Sequence, residues 1–264
     1  MEEAHRKVIE MERTQEEQSR KELNAILRIG SIAFIAGIVI FLVSTILHPG
    51  GEDPTNHPLV FAEYAQDDIW IASHMGQFAG GMLVFVGGFV ALFRLLHIRS
   101  ESGIASALAW LGLAVTIATG SALAVLQAID GIALKMAVDA WYATTTAVPA
   151  GDGGEEAITF RVAEGIRWTE IAANSFFRIL QGAVGIIFGV AIAVSATLSR
   201  WIGALGIIAG VATVALGVSV AYTGFATVGS IEDTISTWTY LPWVIILGIS
   251  MWRKTATAKK IVAK

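Results

Sequence analysis

Residues 106–198 read SALAWLGLAVTIATGSALAVLQAIDGIALKMAVDAWYATTTAVPAGDGGEEAITFRVAEGIRWTEIAANSFFRILQGAVGIIFGVAIAVSATL, and this stretch decides the fold. Each of its ends is apolar over about 20 residues, the length that crosses a bilayer as a helix. Between those ends both arms continue in mixed apolar and charged sequence up to the short turn AVPAGDGGEE. The pattern predicts two very long antiparallel helices, with the turn centred near Asp152 and Gly153.

Working outward, apolar runs at 26–47, 69–92, 201–222 and 238–252 join those at 104–126 and 179–198. The last run is short. Trp238, Tyr240, Trp243 and Trp252 lie at or near its ends, where aromatic side chains favour the lipid–water boundary. Composition points the same way. Of 264 residues 55% are hydrophobic and only 15% charged, with a mean hydropathy of +0.65, whereas soluble domains carry about 25% charged residues. The 27 Gly and 5 Pro suit helices packed closely through small residues. The expected fold is an all-α membrane protein with six transmembrane helices, the third and fourth extended into an outer antiparallel helical hairpin over 127–178. A charged segment, 1–25, precedes a membrane domain, 26–252, which includes an outer loop at 48–68. A basic tail, 253–264, follows it. The first 24 residues carry both signs of charge and read as an exposed helix, not as a cleaved signal peptide.

Basic residues set the orientation. With the N-terminus inside, 14 of the 18 Lys and Arg fall on the inner side, leaving Lys135, Arg161, Arg167 and Arg178 outside. Cytoplasmic loops carry the excess of Lys and Arg, so both termini are expected in the cytoplasm of a multi-pass plasma-membrane protein. The outer parts hold 4 basic and 14 acidic residues, a net charge of −10. Such a face favours cations and disfavours nucleic acid as a partner. The expected partners are the lipid bilayer and either a second copy of the chain or a protein docking on the outer face. There is no Cys, which excludes disulfides, thiolate metal sites and cysteine nucleophiles.

Two places could carry chemistry. In the outer hairpin, Glu164, Arg167, Ile171, Asn174, Arg178 and Gln181 recur at helical spacing on one face. A turn centred near Asp152 places Asp139 opposite Arg167, Lys135 opposite Glu170, Asp130 opposite Asn174 and Gln127 opposite Arg178. The plain reading is that these charges tie two helices together where they leave the lipid. The sharper one is a polar ligand site made of Asp130, Asn174, Arg178, Gln181 and Gln77, because uncompensated charge at a membrane boundary is costly. Arg178 is expected to be neutralised from the opposite helix by Asp130 or Gln127. The aromatic residues of the hairpin, including Trp141, Phe160, Trp168 and Phe176, read mainly as core and interface anchors.

The second place is LHPGGEDPTNHPLVFAEYAQDDIWIASHMGQFAGG, which holds three of the five histidines. His48, His57 and His74, with Glu63, form a candidate set for a divalent transition metal, since imidazole and carboxylate are ordinary ligands for such ions. The spacing lacks any tight metal motif. The plainer reading has His48 and His57 capping the loop beside the prolines that follow them, and His74 as a buried polar anchor with Gln77. Haem is not expected.

The segments HPGGEDPTNHPLVFAEYAQDDIW, DGIALKMAVDAW and FRVAEGIRWTE resemble segments of uncharacterised six-helix integral membrane proteins of bacteria and archaea. The resemblance covers about residues 47–181. It implies a prokaryotic membrane protein and assigns no residue a role.

Three functions are consistent with these features. The first is a sensor or low-flux permease binding a cation or small ligand at the outer face, drawn from the acidic outer charge and the clustered histidines. The second is a structural or partner-docking subunit using the hairpin and GxxxG pairs such as Gly185/Gly189. The third is an enzyme using the Glu164/Arg167/Asn174/Arg178 stripe with His74. Nothing resembles a nucleophile with its base, so an enzyme is the least expected. No phosphate-binding or dinucleotide motif is present.

Overall fold

A computed structural model describes residues 1–100, 102–146, 154–195 and 197–262. Among them, helix is the only regular structure. The first helix, α1 (Glu2–Leu47), runs unbroken from the charged N-terminal segment into the first apolar run. Its sides divide at helical spacing. Leu27, Phe34 and Ile38 point inward, while Ile32, Val39, Val43 and Ile46 are exposed, as in a helix whose outer stripe faces an apolar medium.

A short helix, α2 (His57–Ala65), forms inside the expected outer loop, started by Pro58 in its first turn. The second long helix joins α3 (Trp70–Met82) and α4 (Val90–Arg99) through a π-helical segment, Leu83–Phe89. The third joins α5 (Gly103–Ala128) and α6 (Lys135–Thr146) through a second π segment, Ile129–Leu134. The fourth, α7 (Gly154–Val194), follows. The residues joining α6 to α7, including the expected turn around Asp152, lie outside the described residues. The fifth and sixth are α8 (Arg200–Thr223) and α9 (Ile231–Val262). Among the described residues, six helices are therefore long and apolar enough to cross a membrane.

Two boundaries differ from the sequence reading. The sixth helix begins at Ile231, ahead of the apolar run at 238–252, so only a 3-10 turn, Gly224–Thr227, and three residues separate it from the fifth. Residues 253–262, in the expected basic tail, continue α9 as helix. The polar residues Glu232, Asp233, Thr234 and Ser236 supply the first turns. Acids are favourable there against the helix dipole, so low hydropathy marks a helix start and not a loop.

Contacts pass around the bundle: α1 packs on α3 and α9, α9 on α8, α8 on α7, α7 on α5, and α5 on α4. The centre is aromatic. Phe89 meets Phe34, Phe188 and Trp243 at ring-centre distances of 5.1, 5.4 and 5.7 Å. The indole of Trp243 donates to the Ile202 carbonyl at 3.0 Å, which removes the cost of burying that N–H. The tightest pair is α7 with α8. Gly182 and Gly210 face each other so closely that a Cβ on either would lie 2.5 Å from the other's carbonyl oxygen. Small-residue stripes allow this approach.

A second, smaller core lies under α2. Val60, Phe61 and Tyr64 pack there on Trp70, Leu134, Val138, Trp141 and Ala163. It ties α2 to α3, α6 and α7 at one end of the bundle. At this end Trp141 meets Phe160 at 5.6 Å and Thr144 meets Thr159 across α6 and α7.

Candidate functional site

The polar groups of that end form two neighbouring arrangements, one buried and one open. The buried one is built by four elements. Trp70 and His74 stand one turn apart on α3. His48 follows the end of α1, Tyr64 lies on α2, and Asp130 lies in the π segment of the third helix. The His74 ring centre is 4.4 Å from Trp70 and 4.9 Å from His48, and Tyr64 packs at a tilt against Trp70 with ring centres 4.0 Å apart. His74 Nε2 is 3.0 Å from Asp130 Oδ2. Trp70 Nε1 donates to the Asp130 backbone carbonyl at 3.1 Å.

Asp130 lies in the first turn of the π segment. Its carboxylate meets His74 of α3 and is also within electrostatic reach of Arg167 and Glu170 of α7. Gly131 makes the approach feasible, because a Cβ there would lie 2.5 Å from that of His74.

Behind this cluster lies a buried ion pair. Arg167 Nη1 donates to Glu170 Oε2 at 2.7 Å, with both side chains 3% exposed. The Arg167 guanidinium also lies 5.6 Å from the Tyr64 ring and 4.5 Å from that of Phe225. Burial pushes the Tyr64 phenol well above its ordinary range, with Arg167 acting against that shift and Glu170 and Asp130 adding to it. Burial, followed by the neighbouring charge of His74, lowers His48 below its ordinary value.

The open arrangement is a cleft of about 630 Å³ between the 53–58 segment, α7 and the turn after α8. His57 stands at its centre. Its ring stacks on Phe61 at 5.5 Å and meets Trp168 edge-on at 5.3 Å. Its Nδ1 is 3.2 Å from Glu164 Oε1, and Arg161 holds the other oxygen of the same carboxylate. Asp53 accepts from both the backbone N–H and the hydroxyl of Thr55, which hold its carboxyl below the usual range. Gly224, at φ +61, turns the chain so that Phe225 lines the cleft.

The expected metal set does not converge. His48 and His74 share the buried cluster, and His57, at the start of α2, meets Glu164 of α7. Glu63 accepts from the N–H groups of Gly51 and Glu52 at 2.8 and 3.4 Å and so ties the loop. Among the described residues no three His, Asp or Glu are arranged to hold a metal ion.

The expected cross-helix charge pairs are also replaced. Lys135 reaches Asp139 one turn along its own helix at 2.6 Å and the Ala65 carbonyl at 3.0 Å. Arg178 donates to Asn174, also one turn away, at 2.8 Å, so neither Asp130 nor Gln127 neutralises it. Gln127 instead donates to Gln77 of α3 at 3.4 Å. Gln181 contributes its carbonyl to the Tyr240 hydroxyl. Neighbours at i and i+4 are met without fixing a second helix. Asp130, by contrast, reaches across to His74 of α3. The ligand set of Asp130, Asn174, Arg178, Gln181 and Gln77 is thus spread over several contacts, and the Glu164–Arg178 stripe does not meet His74.

Sequence reasoning passed over Trp70, Tyr64 and Gly131. The signals were the Trp70/His74 spacing of one turn and a glycine directly after an acid within a helical run. Comparison of the chain with family models, curated proteins and solved structures gives no match.

Proposed function

We propose that the chain is a six-span membrane protein with both termini inside, and that its outer side binds a small organic cation in the His57 cleft, as a sensor or low-flux permease. In this reading α6 and the first half of α7 stand beyond the lipid as a hairpin, with α2 laid against it. The observation that carries the binding is the lining of the cleft. Asp53, Glu164, Trp168 and Phe225 all line it, and no Lys or Arg does. Aromatic faces with nearby carboxylates attract ammonium groups, and the outer charge of −10 concentrates cations at the entrance. Trp168, 56% exposed, is the accessible wall.

Thermal unfolding of the full chain in detergent, with tetramethylammonium, putrescine or acetate added, tests this reading. Saturable stabilisation by one of the two cations, absent with acetate and lost in Trp168→Ala, supports it. Equal responses to cations and acetate, or no response to either cation, overturn it.

A further inference from the structure

His74 presents both ring nitrogens to oxygen atoms that have no proton of their own to give. Nδ1 lies 2.8 Å from the Trp70 carbonyl. A carbonyl only accepts, so Nδ1 must carry a proton. Ser73 is 3.4 Å from the same nitrogen, but its hydroxyl donates to that carbonyl at 2.8 Å, so it does not relieve Nδ1 of the donor role. Nε2 lies 3.0 Å from Asp130 Oδ2. The approach is bent away from the line of an ideal ring hydrogen bond. A neutral imidazole with its proton on Nδ1 would still set a bare, electron-rich nitrogen 3.0 Å from a carboxylate oxygen. Two unshared pairs at that distance repel. They are reconciled by one added proton, either on Nε2, giving imidazolium against carboxylate, or on Asp130, giving a carboxyl that donates to Nε2.

We propose that His74 and Asp130 are a proton-binding site, and that the pair holds one proton in common at neutral pH. The surroundings fit a single added positive charge. Asp130 Oδ1 is buried with no hydrogen-bond partner among the described residues, and such an unmet acceptor is costly as part of a bare carboxylate. From the end of α1, His48 packs at a tilt against His74 and is held toward its neutral form. Two adjacent imidazoles do not both charge readily, and the carboxylate assigns the proton to His74. Asp67, before α3, adds negative charge in reach of His74. Tyr64 of α2 covers the site as a neutral phenol. On α7, the charge of Arg167 is already matched by Glu170, and Glu170 lies near enough to Asp130 for their charges to interact. The Asp130 side chain keeps 14% exposure against 2% for His74, so the proton exchanges with solvent from the carboxyl side. Loading adds a proton to the pair and consumes nothing else. Unloading leaves two lone pairs opposed across the Gly131 contact and loosens α3 against α5.

The test uses the full chain, labelled with ¹⁵N-histidine, in detergent micelles at neutral pH. Nitrogen spectra read the protonation of His74, assigned by its loss in His74→Gln, and infrared spectra read a protonated carboxyl, assigned by its loss in Asp130→Asn. An imidazolium at His74, or a neutral His74 beside a protonated Asp130, supports the proposal. In the first case Asp130→Asn should abolish the imidazolium signal at the same pH. A neutral His74 beside an ionised Asp130 overturns it, as does an imidazolium that persists unchanged in Asp130→Asn. The wild-type spectra decide even if one variant fails to fold, because either variant assigns the pair.

Discussion

The ring centre of Phe225 lies 4.5 Å from the guanidinium carbon of Arg167, and Glu170 holds that guanidinium from the other direction at 2.7 Å. A charge this deep is tolerated because it is paired, hydrogen-bonded and flanked by the aromatic faces of Tyr64 and Phe225. Removing one partner leaves the other buried and uncompensated, which costs roughly 3–5 kcal/mol. Replacing both with apolar side chains of similar size removes two desolvation penalties together. Glu170→Gln is therefore expected to destabilise the protein by about 3 kcal/mol, and Arg167→Met with Glu170→Leu by less than that single change. Chemical denaturation in mild detergent measures both. A double variant that loses as much as the sum of the two single changes would show that the pair is not coupled.

His48 gives a pH dependence of defined sign. Its folded-state value lies below the ordinary 6.5 because of burial and the charge of His74. The unfolded chain therefore binds a proton at His48 before the folded chain does. The stability it contributes is complete above about pH 6.5 and falls as pH drops from there toward the lower folded value. His48→Phe keeps a ring against Trp70 and His74 without the titration. The difference in stability between wild type and His48→Phe should shift in favour of the variant as pH falls below about 6.5, read as melting temperature across a pH series. A difference independent of pH would contradict the burial of a neutral His48.

The six long helices were legible because apolar runs of membrane length are the strongest pattern a sequence carries. The polar contacts were not. Extrapolating an ideal helix from Gln127 to Thr146 set Asp130 opposite Asn174 of α7, whereas the chain forms a π segment at Ile129–Leu134 and the Asp130 carboxylate meets His74. Nothing in the apolar periodicity of 103–146 announces one extra residue in a turn. Arg178 took Asn174 of its own helix for a similar reason: hydrogen bonding and helix rotation, not residue separation across a turn, select the partner. His57 was grouped with His48 and His74 by proximity in sequence. The helix it begins carries it away to Glu164 instead.

Orientation is open to direct labelling because the chain has no native cysteine. Thr55→Cys, in the segment before α2, and Lys254→Cys, in the last third of α9, should react with a membrane-impermeant maleimide from opposite sides. In intact cells the reagent is expected to label Thr55→Cys, while Lys254→Cys requires the membrane to be opened. Labelling of both positions in intact cells would contradict the six-span arrangement with both termini inside.

Glycines on one helix should respond in opposite directions to the same substitution. Gly165 and Gly182 both lie within α7. A Cβ at Gly165 meets nothing within 4 Å, whereas at Gly182 it would lie 2.5 Å from the Gly210 carbonyl and 2.7 Å from the Val214 backbone nitrogen. In an open helical position alanine is favoured over glycine by up to about 1 kcal/mol, because glycine loses more backbone freedom on ordering. Gly165→Ala is expected to raise the melting temperature slightly. Gly182→Ala must push α8 away along the tightest contact of the bundle. It would also meet the Val214 Cγ2 methyl at 2.7 Å, but the two backbone atoms cannot rotate aside, so a loss of about 1–3 kcal/mol is expected. A larger residue, as in Gly182→Val, should lower the yield of folded protein further. Size-exclusion profiles and melts of the three variants in one detergent make the comparison. Equal tolerance of alanine at 165 and 182 would show that α7 and α8 do not pack backbone to backbone.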